Sequence, residues 1–361
     1  MLYRKRFYIT AISREEGHID LFLCGPDGHV YTVWWKSEPR WSKHTDVGGD
    51  FPPGAKVTAV SRDPEKLDIF LCDINGSIHT SWWHLSVYGR LFPWATSWAK
   101  WERIGDQFFG GTEVIAILRG TDAIHLFALA EDRQIYTLQW TPRGGGWPEN
   151  RCGNPLPQGP QIFFGMHIEV AARTENHLDL FVCDGDGSVM TLGWSDPTGW
   201  TDWNLIGQGF STELEIAAIA PNEKTLEIFA CQPNGRIYTT HWTIDQGWKL
   251  TWDWISLGAN FRAESKVIVV ELVPEGLRLF VHGSDGFIHT SWCSGLRSEW
   301  SEWQLIEGQT FSGAVDLSAI VPKGGRAVDL FVTNNEGERL SIWWTRGSRQ
   351  SWESWRIIPL L

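Results

Sequence analysis

One phrase recurs seven times in this 361-residue chain, and it restricts the fold more than any other feature. It reads Asp20-Leu-Phe, Asp68-Ile-Phe, His125-Leu-Phe, Asp179-Leu-Phe, Glu227-Ile-Phe, Arg278-Leu-Phe and Asp329-Leu-Phe. The repeated aromatics are Phe22, Phe70, Phe127, Phe181, Phe229, Phe280 and Phe331, 48 to 57 residues apart. Five residues after each stands a turn pair, such as Asp27-Gly28, Asn75-Gly76 and Asp186-Gly187, which supplies the positive φ of a tight hairpin. Ten residues after it is Thr, or Ser341 in the last copy; thirteen after it is Trp, or Cys293 in the sixth. Offsets this constant predict a hairpin of fixed register.

Two more strands flank each hairpin. Upstream are β-rich runs such as Val57-Thr-Ala-Val and Val267-Ile-Val-Val; downstream are Trp-x-x-Trp segments such as Trp98/Trp101 and Trp300/Trp303. No segment has a convincing 3.6-residue apolar period. Four short strands in about 50 residues, repeated seven times, predict an all-β fold: a seven-bladed β-propeller with four antiparallel strands per blade. We expect one domain over 1–361, with blades near 7–49, 55–106, 112–159, 166–208, 213–259, 265–308 and 314–359. The first unit begins with its inner strand and the last ends with its outer strand. The ring is therefore expected to close by packing, without a swapped strand. Unit three departs most, with Trp147-Pro-Glu-Asn-Arg-Cys152 in place of Trp-x-x-Trp.

The phrase Leu-Asp-Leu-Phe-Val-x-x-x-Asp-Gly-x-x-x-Thr-x-x-Trp, followed by Trp-x-x-Trp, resembles the repeat of bacterial and fungal β-propeller lectins of the Photorhabdus lectin type. It is similar, less closely, to the fungal fucose-specific lectins. The resemblance spans essentially the whole chain and implies sugar sites between blades, built from aromatic and small polar groups. The fucose-specific group implies an Arg on strand two and a Glu on strand three; this chain has Asp68 and Thr80 there.

Composition narrows the partners. The net charge is −12, from 31 Lys+Arg against 43 Asp+Glu, so phosphate-backbone binding is not expected. The six Cys are too sparse for a disulfide scaffold; Cys24, Cys72, Cys183 and Cys231 share one repeat position and read as reduced core thiols. No apolar run approaches the roughly 18 residues of a membrane span, and the basic N-terminus lacks a secretory apolar segment. As it stands the chain is expected to be soluble and cytoplasmic; a leader removed from it would make it secreted. Asn75-Gly-Ser is a glycosylation sequon within an expected turn. We expect no metal and no cofactor: zinc spacing is lacking, Asp184-Gly-Asp-Gly187 occupies the shared turn position, and Gly144-Gly-Gly146 precedes no helix.

Variable positions are where function would show. Tyr31/Trp34, His79/Trp82, His289/Trp292 and Trp343 lie nine and twelve residues after the repeat Phe. These aromatics either stack on the C–H face of a sugar or fill the interface between blades. Eight residues before the Phe stand Arg14, Arg62, Arg119 and Arg173 in four successive units. They either form an anion-binding ring or pair with Asp20, Asp68 and Asp179 inside their own blades. An apolar insertion, His84 to Trp94, would lie on the same face as a flap.

Three functions follow. The first is a lectin-like propeller with aromatic carbohydrate sites between blades. The second is a cofactor-free single-site enzyme, a pericyclase or cyclase such as a Diels-Alderase of fungal secondary metabolism. There Arg62, Arg119, His79 and Tyr88 would polarise a carbonyl, and Phe92 and Trp94 would form the wall. The third is a protein-interaction scaffold. The expected partner is a glycan or other small molecule, with no nucleic acid or membrane; oligomeric state is open.

Overall fold

The computed structural model describes residues 8–359 except 37–40, 86–96, 121–122, 143, 150, 161, 164–165, 213, 249–253, 259–260, 263–264, 295–298, 314, 326, 335 and 347–351. Within these residues there is no helix, and the strands form seven antiparallel sheets arranged as a β-propeller. In the first blade β1 (Thr10–Glu15), β2 (His18–Cys24), β3 (Val30–Lys36) and β4 (Thr45–Gly48) pair in chain order. The other blades repeat this order. In blades 4 and 5 the outer strand is interrupted, and both pieces pair with the third strand.

Among the described residues ring closure uses no exchanged strand. The last blade is built from its own Asp316–Ile320, Ala327–Thr333, Arg339–Thr345 and Arg356–Ile357. Ile9, Ile19, Leu21 and Leu23 of blade 1 pack with Phe331 of blade 7. The Ile9 N–H donates to Asp316 Oδ2 at 3.3 Å.

Alternation explains why β2 is buried at every position. Ile19, Leu21 and Leu23 face the preceding blade, while Phe22 and Cys24 face the following one. Successive strand residues point to opposite faces, and here both faces are core. The repeat phenylalanines are all essentially inaccessible. Each meets the edge of a Trp from the outer segment of the next blade. The pairs are Phe22–Trp98, Phe70–Trp147, Phe127–Trp200, Phe181–Trp248, Phe229–Trp300, Phe280–Trp352 and Phe331–Trp41, with ring centroids 5.5 to 6.2 Å apart. Unit three thus departs in sequence but not in packing, because Trp147 fills the same place. Such edge-to-face pairs contribute about 0.5–1.5 kcal/mol beyond area burial.

The hairpin turns dock the next loop. At Gly76 φ is +80°, and a Cβ there would lie 2.0 Å from the Phe108 carbonyl oxygen, whose own N–H donates to Gly76 O at 3.1 Å. Only glycine satisfies both conditions. The buried thiols of Cys24, Cys72 and Cys183 donate to carbonyls of the following loop, and burial pushes those of Cys72 and Cys183 up to about 12. They are inert core groups. No helix among the described residues is long and apolar enough to cross a membrane.

Candidate functional site

The register of the second and third strands places Asp20 opposite Trp34 and Phe22 opposite Thr32, and the other blades repeat this. The residue two before the Phe therefore lies on the face turned to the following blade. The thirteenth-position Trp of that following blade looks back at it. Between them is a slot, one per interface.

Five of the seven slots are filled by a guanidinium stacked on that Trp. Arg14 lies 4.3 Å from the Trp83 ring, Arg62 4.4 Å from Trp140, Arg119 4.5 Å from Trp194, Arg173 4.3 Å from Trp242 and Arg278 4.5 Å from Trp344. Three of them are also fixed by a fork of hydrogen bonds to their own blade. Arg14 donates to Asp20 at 2.7 and 3.0 Å, Arg62 to Asp68 at 2.8 and 2.9 Å, and Arg173 to Asp179 at 2.6 and 3.4 Å. Burial raises the Asp68 and Asp179 carboxyls, and the paired arginines oppose it. At the third slot His125 replaces the acid; burial and then Arg119 push it down to about 4, so it is neutral at pH 7. At the sixth, Arg278 itself stands in the acid's place.

Two interfaces depart from this pattern, and both hold a cavity. Between blades 7 and 1 the arginine position is Lys323, and Asp329, Ser341 and Trp343 face Trp35 and Trp41 across a cleft of 650 Å³. Arg356, from the outer strand, covers the Trp343 ring at 4.3 Å. Between blades 5 and 6 the arginine position is Pro221 and the facing Trp is Cys293. Glu227, Thr239 and His241 line a cleft of 830 Å³ opposite Trp300 and Ser301. The Thr239 hydroxyl donates to Glu227 Oε1 at 3.2 Å. Burial pushes Glu227 and Asp329 up to about 7 each. Asp329 is half-buried. Both clefts combine aromatic faces with a carboxylate and hydroxyls.

The expected site residues fall in different places. Trp343 lines the 7/1 cleft. Trp34 is 42% exposed beside the His18 ring, Trp82 pairs across from Asp68, and Trp292 lies 5.3 Å from Arg278. The ninth-position residues hold the hairpin turns: Tyr31 donates to Asp27 at 2.7 Å, His79 sits 3.0 Å from Asp73, and His289 2.9 Å from Asp285. Arg14, Arg62, Arg119 and Arg173 are each engaged within their own interface, as above. Tyr88, Phe92 and Trp94 lie outside the described residues.

A second polar feature lies at positions other than those expected from the sequence. Fourteen residues before the repeat Phe stand Lys56, Glu113, His167, Glu215 and Lys266, joined by Asp316 in blade 7. They sit at the ends of the inner strands opposite the arginines. Lys56 pairs with Glu113, His167 lies 3.4 Å from Glu113 and 3.1 Å from Glu169, and Lys266 is 3.2 Å from Asp316. Burial works against each charge and the opposite charge beside it prevails, so Lys56 is held up, Glu113 down, and His167 up to about 9. The alternating signs at one offset were the available signal. Among the described residues no cluster suits a metal.

No protein-family model and no curated protein matches the chain. Solved structures do. The BP39L lectin of Burkholderia pseudomallei superposes with a TM-score of 0.82 at 17% identity, covering 99% of this chain and 100% of that one. The fungal lectin of Aleuria aurantia, described as six-bladed with a fucose recognition mode, gives 0.55 at 13% identity, over 99% and 96%. AofleA of Arthrobotrys oligospora gives 0.56 at 12% identity, over 84% and 86%. The chain is a β-propeller as these lectins are, with seven blades.

Proposed function

We propose that this protein is a carbohydrate-binding, lectin-like β-propeller whose ligand sites are the clefts between blades 5 and 6 and between blades 7 and 1. One observation carries the reading. The same slot is filled by an arginine on a tryptophan at five interfaces and opens into a cavity at the two that lack this arrangement. Indole faces suit the apolar side of a sugar ring, and Asp329, Ser341, Glu227, Thr239 and His241 offer partners for its hydroxyls. The lectin-type fold of the structural neighbours supports the same class of ligand.

The enzyme reading offers Arg62, Arg119, His79 and Tyr88 as donors to a substrate carbonyl, of which Tyr88 lies outside the described residues. Arg62 and His79 are held by Asp68 and Asp73, and Arg119 lies on Trp194, so the clefts are the better-supported place for a ligand. Calorimetric titration with a panel of monosaccharides tests the proposal. Binding should be halved in stoichiometry by either Trp343→Ala or His241→Ala, with the fold unchanged. Absence of heat from every sugar at millimolar concentration would refute it.

A further inference from the structure

Resting on the reading of the 7/1 cleft as a ligand site, we propose that its ligand carries a compact organic cation, a protonated amine or a guanidinium, seated between Asp329 and the face of Trp35. The molecule itself supplies the template. At three interfaces a guanidinium is layered between a carboxylate of one blade and an indole of the next. The 7/1 interface keeps both halves of that receptor, Asp329 and Trp35, and they line the same cavity. What it lacks is the arginine.

The other departures do not keep both halves. The 5/6 cleft has Glu227 but Cys293 in place of the indole; the 6/7 slot has Trp344 but Arg278 in place of the acid. Lys323 does not complete the 7/1 receptor from within. Its backbone N–H is anchored to Ser13 Oγ at 3.0 Å while the residue is exposed. Among the described residues no ion pair or hydrogen bond engages the Asp329 carboxylate, and no cation lies over Trp35. Arg356 is committed to Trp343.

The charged groups facing the cleft are Asp329, Glu16, Lys323 and Arg356. An enclosed carboxylate without a cation is costly, and a ligand cation relieves that cost as Arg173 does for Asp179. The cavity far exceeds one guanidinium, leaving room for a sugar ring beside Trp41 and Trp343. Because burial holds Asp329 near 7, cation binding should strengthen as pH rises through that value.

The test is calorimetry on the full chain with four probes: glucosamine, methylguanidinium, N-acetylglucosamine and glucose, at pH 5.5 and 7.5. A cationic probe should bind about tenfold or more tighter than its neutral counterpart, and more tightly at the higher pH. Binding by glucosamine places the cation on a sugar; binding by methylguanidinium alone points to an arginine-type side chain. Either supports the inference. Asp329→Asn should remove the preference, and Lys323→Arg, which supplies the guanidinium internally, should occupy the cation seat and remove it too. Thermal melts and sugar binding at the 5/6 cleft report that both variants are folded. Equal or tighter binding of neutral sugars, unchanged in Asp329→Asn, overturns the cation while leaving a sugar site in place. If no probe or sugar binds at either cleft, the underlying reading fails and the inference with it.

Discussion

The slot between blades 4 and 5 and the cleft between blades 7 and 1 are built from the same positions of the repeat. In the first, Arg173 bridges Asp179 and Trp242. In the second, Asp329 and Trp35 face a 650 Å³ cavity. One residue, eight before the repeat Phe, separates a sealed interface from an open one. The repeat's default is therefore closure, and at the 7/1 interface an opening is made locally by losing one side chain, with the Phe–Trp contact behind it intact. The 5/6 interface has lost two, at Pro221 and Cys293, and there too Phe229 still meets Trp300 at 5.5 Å.

The largest effect should come from unsealing a closed slot. Arg173→Ala leaves Asp179 buried without its cation, and we expect a loss of about 3–5 kcal/mol in urea unfolding. Lys323→Ala, at the matching position of the open cleft, should change stability by no more than about 0.5 kcal/mol. Equal losses would break the comparison.

Next in size is the reverse change. Lys323→Arg should pair with Asp329, stack on Trp35 and raise stability by about 1–2 kcal/mol. An unchanged melting temperature would mean that the 7/1 geometry differs from that of the closed slots.

The pH profile separates the regions further. Asp329 and Glu227 are held up to about 7 in the folded protein from ordinary values of 3.8 and 4.5. The folded state then binds more protons than the unfolded state between those values, so these two groups lower stability as pH rises from about 4 to 7. Asp329→Asn and Glu227→Gln should flatten that slope. His167 behaves as a base held up to about 9, so its contribution is complete below 6.5 and is lost as pH rises towards 9. His167→Gln should remove that alkaline decline. The smallest effect belongs to the surface: Lys36→Ala, breaking the exposed pair with Glu15, should cost at most about 1 kcal/mol and vanish in high salt.

The fold was legible because its determinants are local. Phe22, the Asp27-Gly28 turn, Thr32 and Trp35 lie within one hairpin, and their offsets alone specify strand, turn and register. The slot was not legible because it joins positions in different units. Arg14 meets Trp83, and Arg173 meets Trp242, nearly seventy residues on. Within a unit the pairing of Arg14, Arg62 and Arg173 with Asp20, Asp68 and Asp179 is legible beside the alternative of an anion-binding ring, but the Trp of the next blade on which each arginine lies is not. Read across units, the joint replacement at Pro221 and Cys293 and the lone Lys323 stand out. Trp147 hid for a similar reason: its spacing broke the repeat, while its packing partner, Phe70, lies in the preceding blade.

The most direct test is the number and position of bound ligands in a crystal soaked with a sugar that gives heat in solution, cross-checked by native mass spectrometry. We expect no more than two ligands per chain, seated against Trp343 at the 7/1 cleft and His241 at the 5/6 cleft. A ligand lodged at any of the five arginine-filled interfaces, or five to seven equivalent ligands around the ring, would contradict the division between closed and open slots.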